Sequence, residues 1–151
     1  MAQLSLQPGH VGLNVTDLNR SKQFYQTIFQ LDVLGESATP GREFVFLGGD
    51  GKVLLTLWPQ SKGRFAAQNP GLHHLSFQVE TIEKVREAEA RIRKQGVKVH
   101  HTGIVPHAER LSSGGVFFED PDGIRLEITA PQGADAEGKA PYGEAPTCGF
   151  F

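Results

Sequence analysis

Across residues 10–15 apolar and polar positions alternate, with Val11, Leu13 and Val15 on one face, which predicts a half-buried strand. Thr16-Asp17 supplies a helix N-cap, and Leu18, Ser21, Phe24-Tyr25 and Ile28 then recur at helical spacing. Residues 31–34 read as a second strand, ended by the break at Pro40-Gly41. Residues 43–47, the turn Gly48-Gly49-Asp50-Gly51 and residues 52–58 read as a hairpin. Residues 59–70 are polar, contain Gly and Pro, and show no period, which predicts a linker.

The pattern then starts again. Residues 74–79 alternate as a strand, and Thr81 caps a helix that turns Ile82, Val85, Ala88-Ala90 and Ile92 inward and stops at Gly96. Residues 97–99 read as the following strand. A loop rich in His, Ser and Gly runs over 100–115, and Phe117 to Ile128 form a hairpin around Asp120-Pro121-Asp122-Gly123. A shift of 64 places puts His10 on His74 and Ile28 on Ile92, and a shift of 72 puts Asp50-Gly51 on Asp122-Gly123. An internal duplication of this kind decides the fold ahead of any single residue. The expectation is an α+β fold of two βαβββ units, 7–58 and 71–130, within one domain over 1–130. Their sheets curve into an open cup with the helices outside, because a lone sheet with one helix leaves its other face bare. Residues 131–151, rich in Gly, Ala and Pro, are expected as an irregular tail, ended by the apolar Cys148-Gly149-Phe150-Phe151, which would dock on the cup or a neighbouring subunit or fray. Burial of Phe150 and Phe151 would be worth about 1.5–3 kcal/mol each.

Composition narrows the class. The 151 residues carry a formal net charge of −2 with no basic patch, which argues against nucleic acid as a partner. No apolar run approaches a membrane span, residues 1–20 lack a signal-peptide pattern, and the single cysteine Cys148 excludes an internal disulfide framework. A cytoplasmic protein without membrane partners is expected.

Alternation also decides which side chains share a face. His10 falls with Gly12 and Asn14, His74 with Ser76 and Gln78, and Glu127 with Arg125, all opposite the helix-facing apolar set. Two imidazoles and a carboxylate on a polar concavity form a ligand set for a divalent metal with positions left open for substrate. His73 has the opposite parity. Asn14, Ser76, Gln78 and Arg125 are the expected substrate contacts, and in the 100–115 loop His107 suits a proton donor and Arg110 an anion clamp.

Over residues 7–130 the chain resembles the vicinal oxygen chelate superfamily, which holds glyoxalase I, extradiol dioxygenases, fosfomycin resistance enzymes and bleomycin-binding proteins. The resemblance rests on His10-Val-Gly-Leu with Asp17-Leu and Phe24-Tyr25, on His74-Leu-Ser-Phe, and on Asp120-Pro-Asp-Gly followed by Leu126-Glu127. It implies His10, His74 and Glu127 as ligands of a metal, Fe, Mn, Ni or Zn, that chelates two neighbouring oxygens of a small-molecule substrate. Glyoxalase I generally has a further carboxylate or amide ligand where this chain has Leu55, or Thr56 if one gap is allowed. Thiol-using fosfomycin enzymes usually place Thr where Gly12 stands. Extradiol dioxygenases usually place a Tyr where Phe117 stands, and His107 lies one residue further out than their usual spacing. The expected function is a metal-dependent, dioxygenase-like or glyoxalase-like enzyme in which Glu127 and His107 are catalytic, acting as a homodimer. The alternative is a drug- or metabolite-binding protein without turnover.

Overall fold

The computed structural model describes residues 2–151. It divides into two compact units, one ending at Gly63 and one running Arg64–Phe151. In the first, strand β1 (Val11–Asn14) leads into helix α1 (Leu18–Phe29), followed by β2 (Asp32–Ser37), β3 (Phe44–Gly49) and β4 (Lys52–Trp58). The second repeats the order with β5 (Leu75–Gln78), α2 (Ile82–Lys94), β6 (Val105–Pro106), β7 (Gly114–Glu119) and β8 (Arg125–Ala130). The sheets are ordered β1-β4-β3-β2 and β5-β8-β7-β6, and in each the first strand runs parallel to the last while the other pairs are antiparallel. The chain is therefore α+β with two βαβββ units. Pairing the first strand parallel to the last requires a crossover, and the helix supplies it.

Each helix covers one face of its own sheet. α1 buries Ser21, Tyr25 and Ile28 on the side of Leu13, Val45, Leu47, Leu55 and Leu57. α2 buries Ile82, Val85, Ala88 and Ile92 on the side of Val116, Phe118, Leu126 and Ile128. Asp17 caps α1, accepting a hydrogen bond from the Arg20 amide at 3.0 Å, whereas Thr81 stands at the α2 N-cap without a side-chain cap bond. The turn before β8 closes through the Gly123 amide on the Asp120 carbonyl, with Gly123 at φ 88° and the Asp120 carboxylate accepting the Asp122 and Ile124 amides at 2.9 Å.

Three segments depart from the sequence reading. The strand expected at 97–99 shrinks to one bridge, Val99 to Phe118, because the chain turns away through His101 and Gly103, both at positive φ, and returns to pair with β7 only at Val105–Pro106. β2 runs on to Ser37, three residues past the expected end, because its partner β3 continues beside it. Residues 131–151 belong to the second unit and carry two 3-10 turns, Ala134–Ala136 and Thr147–Gly149. Thr147 is fully buried; its hydroxyl donates to the Pro106 carbonyl and its amide to the His107 carbonyl, each at 2.7 Å. Among the described residues no helix is long and apolar enough to cross a membrane.

Candidate metal and substrate site

Glu127 stands mid-strand in β8, paired with Ser76 on β5 and with Phe117 on β7. Its neighbours Leu126 and Ile128 enter the α2 core, so period-two alternation turns its carboxylate to the opposite face. That carboxylate is only 2 % exposed. A buried carboxylate requires partners, and two imidazoles provide them.

His107 reaches Glu127 from the loop after β6. Its Nε2 hydrogen-bonds Glu127 Oε1 and lies 3.3 Å from Thr129 Oγ1, while its Nδ1 lies 3.0 Å from Ser113 Oγ. The Thr129 hydroxyl gives its only proton to the Gly114 carbonyl at 2.8 Å, so the proton between His107 and its two oxygen neighbours belongs to Nε2. Backbone geometry fixes the loop as well, through the His107 amide on the Ser113 carbonyl at 2.9 Å.

His74 precedes β5, with its Nε2 3.7 Å from Glu127 Oε2 and its Nδ1 2.8 Å from Nδ1 of His73. The contact with His73 leaves Nε2 as the atom turned to the carboxylate. Burial holds the His74 imidazole below its ordinary pKa; Glu127 opposes this, and His73, Arg125 and His107 reinforce it. Neutral imidazole is the form that binds a metal. Cys148 is close enough for Glu127 to raise its pKa, adding to a larger upward push from burial, so the thiol stays protonated.

The other expected residues fall as follows. Ser76, in register with Glu127, and Gln78, in register with Thr129, are exposed on the Glu127 face. The Arg125 guanidinium lies 5.6 Å from the centroid of the Phe151 ring. Arg110 is exposed in its loop at φ 66°. In the first unit His10 is exposed just before β1, and the Asn14 side-chain oxygen accepts the Gln60 amide at 2.9 Å. Among the described residues no group of three or more His, Cys, Asp or Glu is placed to hold a metal ion.

The register also resolves the alternative between Leu55 and Thr56. Leu55 pairs with Val11 and is fully buried on the α1 side, whereas Thr56 pairs with Gly12, just as Glu127 pairs with Ser76. One extra residue, Leu54, sits in β4 where the register shifts between Leu47 and Gly48. The bulge needs glycine at 48, since a Cβ there would stand 1.9 Å from the Lys52 carbonyl oxygen. Thr56 is thus the first unit's counterpart of Glu127. It is 3 % exposed, and its hydroxyl accepts the Trp58 indole N–H at 2.9 Å.

One group of residues escaped the sequence reading. Phe44, Phe46 and Trp58 share the Thr56 face as an aromatic cluster with ring centroids 4.7 to 6.0 Å apart; their common parity was the available signal. In the second unit Phe151 lies against His74, His100 and Phe117, with centroids at 5.8, 5.5 and 5.1 Å. The expected docking of the terminal aromatics thus holds for Phe151, whereas Phe150 stays 49 % exposed.

The donors suit a divalent ion in kind. His74 Nε2 and Glu127 Oε2 are too far apart for a hydrogen bond, and their 3.7 Å gap is close to the roughly 3–3.4 Å between two ligands of one ion with bonds of about 2.0–2.1 Å.

Two duplicated βαβββ units, each with its first strand parallel to its last, define the class of fold. The chain belongs to the Glyoxalase/Bleomycin resistance protein/Dioxygenase superfamily, whose family model matches residues 7–128. A probable lactoylglutathione lyase from Synechocystis sp. is 27 % identical over 130 residues, spanning 79 % of this chain and 91 % of that protein. The glyoxylase/bleomycin resistance protein/dioxygenase domain from Frankia sp. EAN1pec superposes with a TM-score of 0.67 at 27 % identity, covering 87 % of this chain and 99 % of that one. A variant of the fosfomycin resistance protein FosX from Listeria monocytogenes, complexed with Mn(II) and 1S,2S-dihydroxypropylphosphonic acid, shares the fold at TM-score 0.66 and 23 % identity, over 86 % and 95 % of the two chains.

Proposed function

We propose that the protein is a divalent-metal-dependent enzyme acting on a small molecule that carries two adjacent oxygens. The observation that carries this reading is the buried Glu127 carboxylate with His74 Nε2 turned toward its Oε2 and His107 Nε2–H on its Oε1. His74 Nε2 and Glu127 Oε2 would hold the metal, Fe, Mn, Ni or Zn. The metal would supply charge neutralisation for the negative oxygens that develop on the substrate. The Mn(II) and vicinal diol in the FosX complex are consistent with a fold that accepts such a pair.

His107 is the proton carrier in this reading. Its Nε2–H lies beside the carboxylate, and Ser113 orients its ring, so it can give a proton to a substrate oxygen and recover it. Ser76, Gln78 and Arg125 line the same sheet face and would orient the substrate, with Arg110 contributing from its loop. Thr56, where a glyoxalase would keep a second carboxylate or amide, has neither charge nor basicity. The reading therefore favours a dioxygenase-like reaction over a glyoxalase-like lyase.

Metal analysis after chelator-free purification tests the metal, and parallel assays test the reaction: oxygen uptake with catechols against isomerisation of a hemithioacetal. Bound metal with ring-cleaving oxygen uptake is expected. Absence of bound metal and of metal-induced stabilisation would leave a binding protein without turnover.

A further inference from the structure

The ring of Phe151 is enclosed on several sides. His74, His100 and Phe117 meet it at interplanar angles of 68°, 73° and 67°, and the Arg125 guanidinium stands 5.6 Å from its centroid. Steep ring-on-ring angles of this kind and a cation near the ring centroid are the arrangements an aromatic quadrupole favours. The slot is specific to one ring: Phe150, its neighbour, is 49 % exposed and packs on Tyr142.

The slot is also at the site. Phe117 is the cross-strand partner of Glu127, and His74 is the imidazole facing its Oε2. The segment leading to Phe151 is tied at Thr147, by two hydrogen bonds to Pro106 and His107, and after the Phe150 amide bonds the Thr147 carbonyl at 3.2 Å the chain runs out of regular structure. The anchor and the ring are thus separable: the ring can leave the slot while Thr147 stays.

We propose that Phe151 is an internal competitor for this site, occupying a ring-binding slot formed by His74, His100, Phe117 and Arg125 that a substrate must take over. It makes Phe151 a specificity-determining residue. A ligand with a planar aromatic ring recovers the edge contacts and the cation contact that Phe151 gives up, whereas an aliphatic ligand of equal size does not. The inference rests on the proposed function for the meaning of the site, since it takes His74 and Glu127 as its centre.

Calorimetric titration of chelator-treated protein with 3-phenylpropanoate, and with 3-cyclohexylpropanoate as the saturated control, tests the slot without any metal. If Phe151 fills the slot nine-tenths of the time, Phe151→Ala binds 3-phenylpropanoate about tenfold more tightly than the unchanged chain, because apparent affinity scales with the open fraction. Phe151→Trp, which refills the slot, stays as weak as the unchanged chain, and the cyclohexyl acid binds Phe151→Ala at least severalfold less tightly than the phenyl acid. Equal affinity of the unchanged chain and Phe151→Ala, no binding to either, or equal binding of the two acids would each overturn the proposal. Metal-induced stabilisation of the unchanged chain is read separately. Retained metal binding with a failed titration rejects the slot alone, whereas the reverse result rejects the metal enzyme and leaves the slot.

Discussion

Glu127→Gln separates metal ligation from fold. The glutamine keeps the shape of a side chain that is 3 % exposed and keeps an oxygen to accept the His107 Nε2–H, so the metal-free variant loses only the charge assistance of that bond, about 1 kcal/mol. It removes the carboxylate that His74 Nε2 faces at 3.7 Å. At a metal concentration a hundredfold above the dissociation constant, the unchanged protein gains about 2.7 kcal/mol. For a chain of 151 residues that raises the melting temperature by roughly 5–10 °C. A hundredfold loss of affinity in the variant leaves about 0.4 kcal/mol, a rise of less than about 2 °C over its own metal-free baseline. Differential scanning fluorimetry across a series of divalent metals reads both values. His74→Ala should behave like Glu127→Gln. His73→Ala, which parity alone would leave neutral, should fall between, because its Nδ1 is 2.8 Å from His74 Nδ1 and the loss of such an orienting partner typically costs about 10–100-fold in affinity. An equal metal shift in Glu127→Gln and the unchanged protein would refute the ligand assignment, and so would a shift abolished by His73→Ala but kept in His74→Ala.

Three further outcomes follow from particular contacts. His107→Ala should retain metal-induced stabilisation, because it frees Glu127 Oε1, while turnover falls about 10²–10⁴-fold in steady-state assays; unchanged turnover would remove His107 from the chemistry. Thr147→Val should cost about 1–3 kcal/mol in denaturant unfolding, since it removes the hydroxyl by which the fully buried Thr147 donates to the Pro106 carbonyl, and a neutral result would show that this bond contributes no stability. His101 has its pKa lowered by burial first and by the charge of His100 second. The unfolded chain therefore binds more protons below pH 6.5, and His101's contribution is complete above that pH and lost as pH falls from there toward the folded value. His101→Asn, which also suits the φ of 57° at this position, should flatten the acid side of a stability profile; an unchanged slope would assign the acid sensitivity elsewhere.

Much of the architecture was legible because it repeats. The strand pattern of 10–15 recurs at 74–79, and the structure pairs Val11 with Leu55 and Leu75 with Leu126 in the same parallel arrangement. Parity carried further than composition: it put Ser76, Arg125 and Glu127 on one face from alternation alone, and the register agrees. Long-range loop placement was not legible. His107 stands 20 positions before Glu127, and its approach depends on the turn at His101 and Gly103, the short β6 and the Ser113 bonds, none of which has a period. Arg110, chosen from the same loop, is exposed at φ 66°. The anchoring of 131–151 was hidden for a similar reason, because Thr147 is held by two backbone carbonyls and not by an amphipathic stripe.

The least legible feature bears most on chemistry. A shift of 72 aligns the turns at Asp50-Gly51 and Asp122-Gly123, yet on the returning strands the register shows that Thr56, 71 positions before Glu127, is its counterpart. The discrepancy is Leu54, the extra residue in β4, and a one-residue insertion in a strand reverses the facing of everything on one side of it. Without the bulge Leu55 would hold the position equivalent to Glu127 and a leucine would enter that face; with it, Leu55 fills the α1 core and Thr56 takes the place across from Gly12. The repeat thus conserves backbone and core in both units while the ionisable group survives in one. In the first unit the face around Thr56 is closed by Phe44, Phe46 and Trp58, and in the second the face around Glu127 carries His74 and His107. That division places the buried carboxylate and the imidazoles beside it within the second unit.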